Sequence, residues 1–501
     1  MRTQILFTSA FFALQLINAS CSNSSKLTFV VSNIPTDATS LSLTAHIDKT
    51  TTTPDSILSN YKIDTVPLEA GKDSAKLINV TVPFDARGLP LNITITASSS
   101  KCQLSSWTGS VGSIDGKDYS VGAPLSKLED DPIQQDLFTV AAISPTDVWV
   151  GGSNSTVGHW DGCYWRRAQI DDEGLTGIIK IFYHKNSGLW ALGGNSTIAK
   201  YENGKWTKYD HKNPWGLTGD FAQKILWIDM AFSEGSTEQL IAIGLSTQQA
   251  CRALKITKSN GQYVFDATAE PKICNLPGGT AARALPPGTT HTVSPYVPSK
   301  IASFGNGMVT SGFVYVDKKV GTTTTSGLKY SAYARYTDQI NLSNPVIKYV
   351  NPTNQASDDP QGTSGPIWGT SADNFWFGTP TLQHVTGAIN SPVVVSVDNV
   401  YPPGASNGLF LYNIWGASER DFWTIGLSSV RMSSEVLHIY DKTGAGGTVG
   451  EANIVPALFS TPINTIVTTN IGGASTSDVW LVGYAGYRVH FENSKYTLYQ
   501  K

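Results

Sequence analysis

Apolar and polar residues alternate in short runs along most of this chain, and two patterns divide it. Over 26–125 the period is two: Leu27, Phe29 and Val31 share one side of a run, Leu41, Leu43, Ala45 and Ile47 share another, and Leu91, Ile93, Ile95 and Ala97 a third. That period predicts half-buried antiparallel strands. N-I-P-T-D at 33–37 and A-R-G at 86–88 supply turns between them. Over 130–501 a longer unit recurs: S-P-T-D-V-W-V-G at 144–151, N-S-G-L-W-A-L-G at 186–193, S-A-D-N-F-W-F-G at 371–378, S-E-R-D-F-W-T-I-G at 418–426 and S-T-S-D-V-W-L-V-G at 475–483. A second half follows three of these, T-V-G-H-W-D-G at 156–162, T-I-A-K-Y-E-N-G at 197–204 and Y-R-V-H-F-E-N at 487–493. Weaker copies lie around 238–244 and 305–312.

The predicted fold is all-β. About seven short strands in the first hundred residues fit an immunoglobulin-like β-sandwich over 26–125. The repeat over 130–501 predicts a β-propeller of about seven four-stranded blades. Small polar residues make the tight turn after the first strand. Trp149, Trp190, Trp376, Trp423 and Trp480 then fall on the second strand, wedged between neighbouring blades. Asp161-Gly162 and Asn203-Gly204 turn the chain into the outermost strand. No blade buries both faces alone, so the array must close on itself. These segments resemble bacterial exported and cell-surface β-propeller proteins with the repeat S-x-x-D-V-W-x-V-G…H-x-D-G-x-W. The resemblance implies architecture and no particular chemistry.

Residues 1–20 place one Arg before an apolar stretch and end in small residues, which reads as a secretory signal too short to anchor the chain. Ala19, Ser20 and Cys21, with the polar tether at 21–25, resemble a bacterial lipobox, which implies acylation of Cys21 and a lipoprotein at the outer membrane or cell surface. Ordinary cleavage and secretion is the other reading. The remaining cysteines are even in number: Cys102, Cys163, Cys251 and Cys274. Exported proteins pair their thiols. Cys251 and Cys274 flank an expected hairpin over 253–267 and form the first expected disulfide; Cys102 and Cys163 form the second. In a eukaryotic host, Asn79, Asn92, Asn154, Asn195 and Asn341 are N-glycosylation sequons.

Charged residues make up 15% of the chain and the net charge is −3, with no basic stripe to neutralise nucleic-acid phosphates. His159, His384, His438 and His490 have the look of a metal set, but each falls at the same place in its own repeat, so they point apart around a ring. Asp147, Asp373, Asp421 and Asp478 are repeat residues too, and read as turn caps. The sequence therefore offers no catalytic, cofactor or metal set. Three functions stay open. One is an exported or surface-anchored scaffold binding a protein partner through the propeller face and the inserted segments 271–300, 316–327, 351–366 and 401–408. Another is a lectin-like glycan binder using Trp160, Trp165, Trp206 and Trp215. The third is a hydrolase or lyase at the channel mouth. Contact with a membrane is expected only through the lipid.

Overall fold

The computed structural model describes residues 25–47, 61–69, 75–82, 91–127 (without 101 and 112–118), 133–209 (without 171–176 and 195–196) and 225–499. The last span lacks 234–238, 247–250, 260–261, 267–272, 275, 283–284, 306, 337–341, 343, 351–364, 378–381, 389–391, 398–408, 429–432, 441–450, 455–467 and 493–494. No helix among these residues is long and apolar enough to cross a membrane. Contacts divide the chain into two compact units, 1–130 with 162–164, and the remainder.

Two sheets build the first unit. Ser25–Ser32 lies between Ala75–Val82 and Tyr119–Pro124, antiparallel to the former and parallel to the latter. The other sheet runs in the order Tyr61–Pro67, Ser40–Ile47, Leu91–Ser98, Gln103–Val111, Ser126–Lys127. The period of two is realised in full on Leu91–Ser98, where buried and half-buried residues alternate. Leu27, Phe29 and Val31 from one sheet and Leu41, Leu43, Ile93 and Ile95 from the other close one core. The parallel pair is a departure from the all-antiparallel expectation. Alternation fixes which face of a strand is buried, not which strand lies beside it. Cys163, in the 162–164 segment that groups with this unit, is disulfide-bonded to Cys102 with the Cα atoms 5.6 Å apart.

The second unit is a succession of antiparallel sheets. Six have four strands each, covering 137–169, 178–209, 225–266, 367–397, 409–454 and 468–499. A larger sheet, the fourth in chain order, falls between the third and the fourth of these. The innermost strands are Leu137–Ser144, Ile178–His184, Ile225–Ser233, Val297–Phe304, Ile367–Ser371, Leu409–Ser418 and Thr468–Ser475. Each lies beside the next, and Thr468–Ser475 returns to Leu137–Ser144, so the circuit closes. Turn chemistry follows the sequence: Asn203 and Gly204 both take positive φ (51° and 79°), the two-residue hairpin geometry that an Asn-Gly pair adopts without strain.

Packing between sheets accounts for the repeat. Trp190, Trp376, Trp423 and Trp480 are wholly enclosed and Trp149 nearly so. Each joins a core shared with a neighbouring sheet; Trp480, for example, meets Trp165 at 5.2 Å and Trp160 at 5.7 Å between ring centroids. Polar stitches run beside these cores. Trp423 Nε1 donates to Thr476 O at 3.2 Å, Ser311 Oγ to Gly365 O at 2.8 Å, and Thr469 Oγ1 to Leu137 O across the closure.

The fourth sheet departs from the repeat. Its central hairpin, Gly307–Val320 with Thr323–Tyr336, has 14 residues in each strand. The segment 316–327 is therefore the end of a long ladder and not a loose loop, and Thr289–Val293 pairs with its far end. The stretch 271–300 likewise holds short strands, including Thr280–Ala281 parallel to Val346–Tyr349. Cys251 on the third sheet is bonded to Cys274 beside the buried Ile273, with the Cα atoms 5.4 Å apart. The two are 23 positions apart in sequence. Closing a loop of that size restricts the unfolded chain, so replacing both cysteines by serine is expected to lower the unfolding free energy by about 3 kcal/mol. Denaturant melts of the two proteins measure it.

Candidate functional site

The repeat histidines are used where they stand. His159, His384, His438 and His490 each stack on the tryptophan of their own sheet with ring centroids 4.0, 4.0, 4.2 and 4.1 Å apart. Nε2 of three of them is tied across the hairpin: His159 to Asp147 at 2.9 Å, His438 to Asp421 at 2.6 Å and His490 to Asp478 at 3.2 Å. Those carboxylates act as histidine partners more than as turn caps. In the second sheet Lys200 takes the histidine's place over Trp190 and pairs with Glu202. Among the described residues no three His, Cys, Asp or Glu side chains gather as metal ligands do.

The fifth sheet corrects the alignment of its aspartate. Asn374, not Asp373, precedes the strand position of the tryptophan by two and meets His384 Nε2 at 2.7 Å through Oδ1. Asp373 instead pairs with the buried Arg335 of the fourth sheet, which also donates to Gly387 O at 3.0 Å. With a neutral amide as partner, burial dominates at His384 and pulls its pKa down to about 4 from 6.5. The folded state thus resists protonation where the unfolded chain accepts it. The contribution is complete above 6.5 and is lost as pH falls through about 4. Between those values, stability is expected to fall less steeply in His384→Gln than in the parent, as read from melts across pH.

The tryptophans that the glycan reading required are mostly interior. Trp165 has no exposed surface and Trp160 has 8%. Trp206 packs edge-on to Trp149 at 5.7 Å and beside Tyr201. Trp215 lies outside the described residues, as do Cys21, 351–364 and 401–408. The pattern G-A-S-N-G at 404–408 has the spacing of a nucleophile elbow, but that motif needs a helix after the serine, and the strand Leu409–Ser418 follows.

A different set of residues comes together at the centre of the ring. Six innermost strands each carry a β-bulge near their start, where the register skips Phe138, Ile179, Ile228, Ser299, Tyr412 and Thr469. A bulge adds local twist and re-aims the side chains beside it. The residues that follow are Thr139, Lys180, Asp229, Lys300, Asn413 and Asn470, all polar and all lining one cavity of about 410 Å³. Pro366, directly before the fifth sheet, lines it too. That volume is in the range of small-ligand and side-chain pockets.

Part of this tier stitches the ring. Thr139 Oγ1 accepts from Ile181 N at 2.9 Å, on the next sheet. Asp229 Oδ2 accepts from Ile301 N at 2.9 Å, again on the next sheet, while Oδ1 accepts from Met230 N and pairs with Lys180. Asn413 Oδ1 accepts from Ile414 N at 2.8 Å. Lys300 is different: its ammonium makes no hydrogen bond among the described residues. Burial lowers its pKa, Asp229 works against that and Lys180 adds to it. Tyr412 stands exposed at the cavity wall, its phenol pKa raised by burial and by Tyr484.

This tier does not stand out in the sequence, because its residue types differ from sheet to sheet and form no motif. One signal was present. Each tier residue directly precedes an apolar one, as in Thr139-Val140, Lys180-Ile181, Asp229-Met230, Lys300-Ile301, Asn413-Ile414 and Asn470-Ile471.

No family model matches this chain, and no curated protein does. Among solved structures it is similar to YCF48 from Cyanidioschyzon merolae, at 11% identity over 72% of this chain and 97% of that one, with a TM-score of 0.42. The WD40 β-propeller domain of Doa1 matches at 12% identity over 72% of this chain and 93% of that one, TM-score 0.36. A puromycin-hydrolysing peptidase of Mycobacterium tuberculosis matches at 11% over 75% of this chain and 56% of that one, TM-score 0.43.

Proposed function

We propose that 130–501 form a seven-bladed β-propeller which, carried on an immunoglobulin-like sandwich, serves outside the cell as a scaffold for a protein partner. The cavity at the centre of the ring is the contact. The observation that carries this reading is the polar tier: at one level of a repeated framework, side chains that differ from sheet to sheet face a common cavity. Framework residues explain folding, and unrepeated residues facing a concavity are where recognition is concentrated. Affinity capture tests it by comparing the parent with Asn413→Arg, which puts a larger side chain into the cavity lining. The reading requires a partner held by the parent and released by the variant, with melting unchanged.

Export and lipidation belong to the same proposal and rest on 1–25, as does membership of the exported bacterial propeller group on the repeat. Intact mass of the native product is expected to show a new N-terminus near Ser20 or Cys21, with acyl mass if Cys21 is lipidated. Unprocessed Met1 protein in the cytoplasm contradicts export. An unmodified Cys21 contradicts the lipid alone.

A further inference from the structure

We propose that Lys300 is the anchor for a carboxylate entering the cavity, supplied by a peptide of the partner. This rests on the scaffold reading and gives it a chemistry. The tier holds two cations and one anion: Lys180, Lys300 and Asp229. Asp229 already accepts from Lys180 and from the backbone N–H groups of Met230 and Ile301. Lys180 is therefore matched and Lys300 is left over, a single positive charge facing a cavity. A partly buried ammonium without an acceptor is costly, and the usual resolution is an opposite charge with its hydrogen bonds. Asp229 attracts Lys300 from nearby without a hydrogen bond to it, and no described residue gives the ammonium an acceptor.

Charge and surroundings narrow the ligand. One unmatched lysine suits a monoanion; a phosphate group, near two negative charges, calls for a fork of arginines or several cations. Asn413, its oxygen occupied by Ile414 N, keeps amide N–H donors for a peptide carbonyl. Lowering of the Lys300 pKa by burial agrees with this geometry, because a bound carboxylate reverses it.

Three peptide probes at constant ionic strength distinguish the sources: a short peptide with a free C-terminal acid, the same peptide amidated, and an amidated peptide with one internal glutamate. Titration calorimetry reads binding to the full chain, and free glutarate is the small-acid control. Binding by the free-acid or the glutamate peptide, with the plain amide inert, supports the site and names the source. Lys300→Met is expected to weaken that binding about ten- to a hundredfold, Lys300→Arg to restore most of it, and the exposed Lys319→Met to leave it unchanged. Equal melting of the variants shows that each is folded. Binding of glutarate alone, binding indifferent to Lys300→Met, or no binding overturns the peptide-carboxylate proposal. If Lys300→Met still captures the native partner, the scaffold reading survives and this inference fails. If the acid peptides bind at Lys300 but no partner depends on the cavity, the reverse holds.

Discussion

Trp480→Ala is expected to cost about 3–5 kcal/mol of stability, the range for removing a large enclosed aromatic without refilling its space. Trp480 has no exposed surface and sits where the last sheet meets the first, against Trp165, Trp160 and Tyr499. Its removal opens a cavity at the closure itself, where chain ends far apart in sequence are held together. Hydrogen exchange is expected to accelerate first in Leu137–Ser144 and Thr468–Ser475, the strands that meet there. Trp206→Ala, at a part-exposed ring on the outermost strand of the second sheet, is expected to cost clearly less. Denaturant melts of both variants check the order, and equal losses contradict the closure account.

Asp229→Ala is expected to be as damaging by a different route, again about 3–5 kcal/mol. The substitution strands the Lys180 ammonium beside Lys300 and leaves the N–H groups of Met230 and Ile301 without their acceptor. Lys180→Met keeps Asp229 on its two backbone donors, so its cost is expected to be smaller. The double variant should recover part of the Asp229→Ala loss by removing the orphaned cation. A double-mutant cycle in unfolding free energy measures this coupling. Additive losses would mean that the pair contributes little beyond its separate packing.

The repeat made the second and third strands legible because the same physics acts in each sheet. A tryptophan must fill the space between sheets, and a histidine or Lys200 must cover its face, so residue types recur and can be aligned. Asp373 misled for the same reason. The alignment read it as a turn cap equivalent to Asp147, whereas Asn374 holds the equivalent position and Asp373 meets Arg335. The innermost strands carried no comparable signal. Their bulges are a property of register, and register is decided by pairing between strands, which no single run of residues reports. The tier was therefore invisible as a set until Thr139, Lys180, Asp229, Lys300, Asn413 and Asn470 were brought to one level. The basic and threonine-rich residues at 316–327 read as a hairpin tip and are one, but the 14-residue length of the two strands behind it depends on their pairing and was not legible.

Site-specific photo-cross-linking tests the central claim, that the cavity is where a partner binds. A photoreactive side chain is placed at Tyr412, which is 38% exposed on the cavity wall, and in a separate variant at Leu498, which is 47% exposed on the outermost strand of the last sheet. The two positions are similarly accessible and differ in what they face. After irradiation in cells of the native host and in their medium, a discrete adduct with another protein is predicted from position 412 and none from position 498. Adducts from position 498 alone, or none from position 412, would contradict the account.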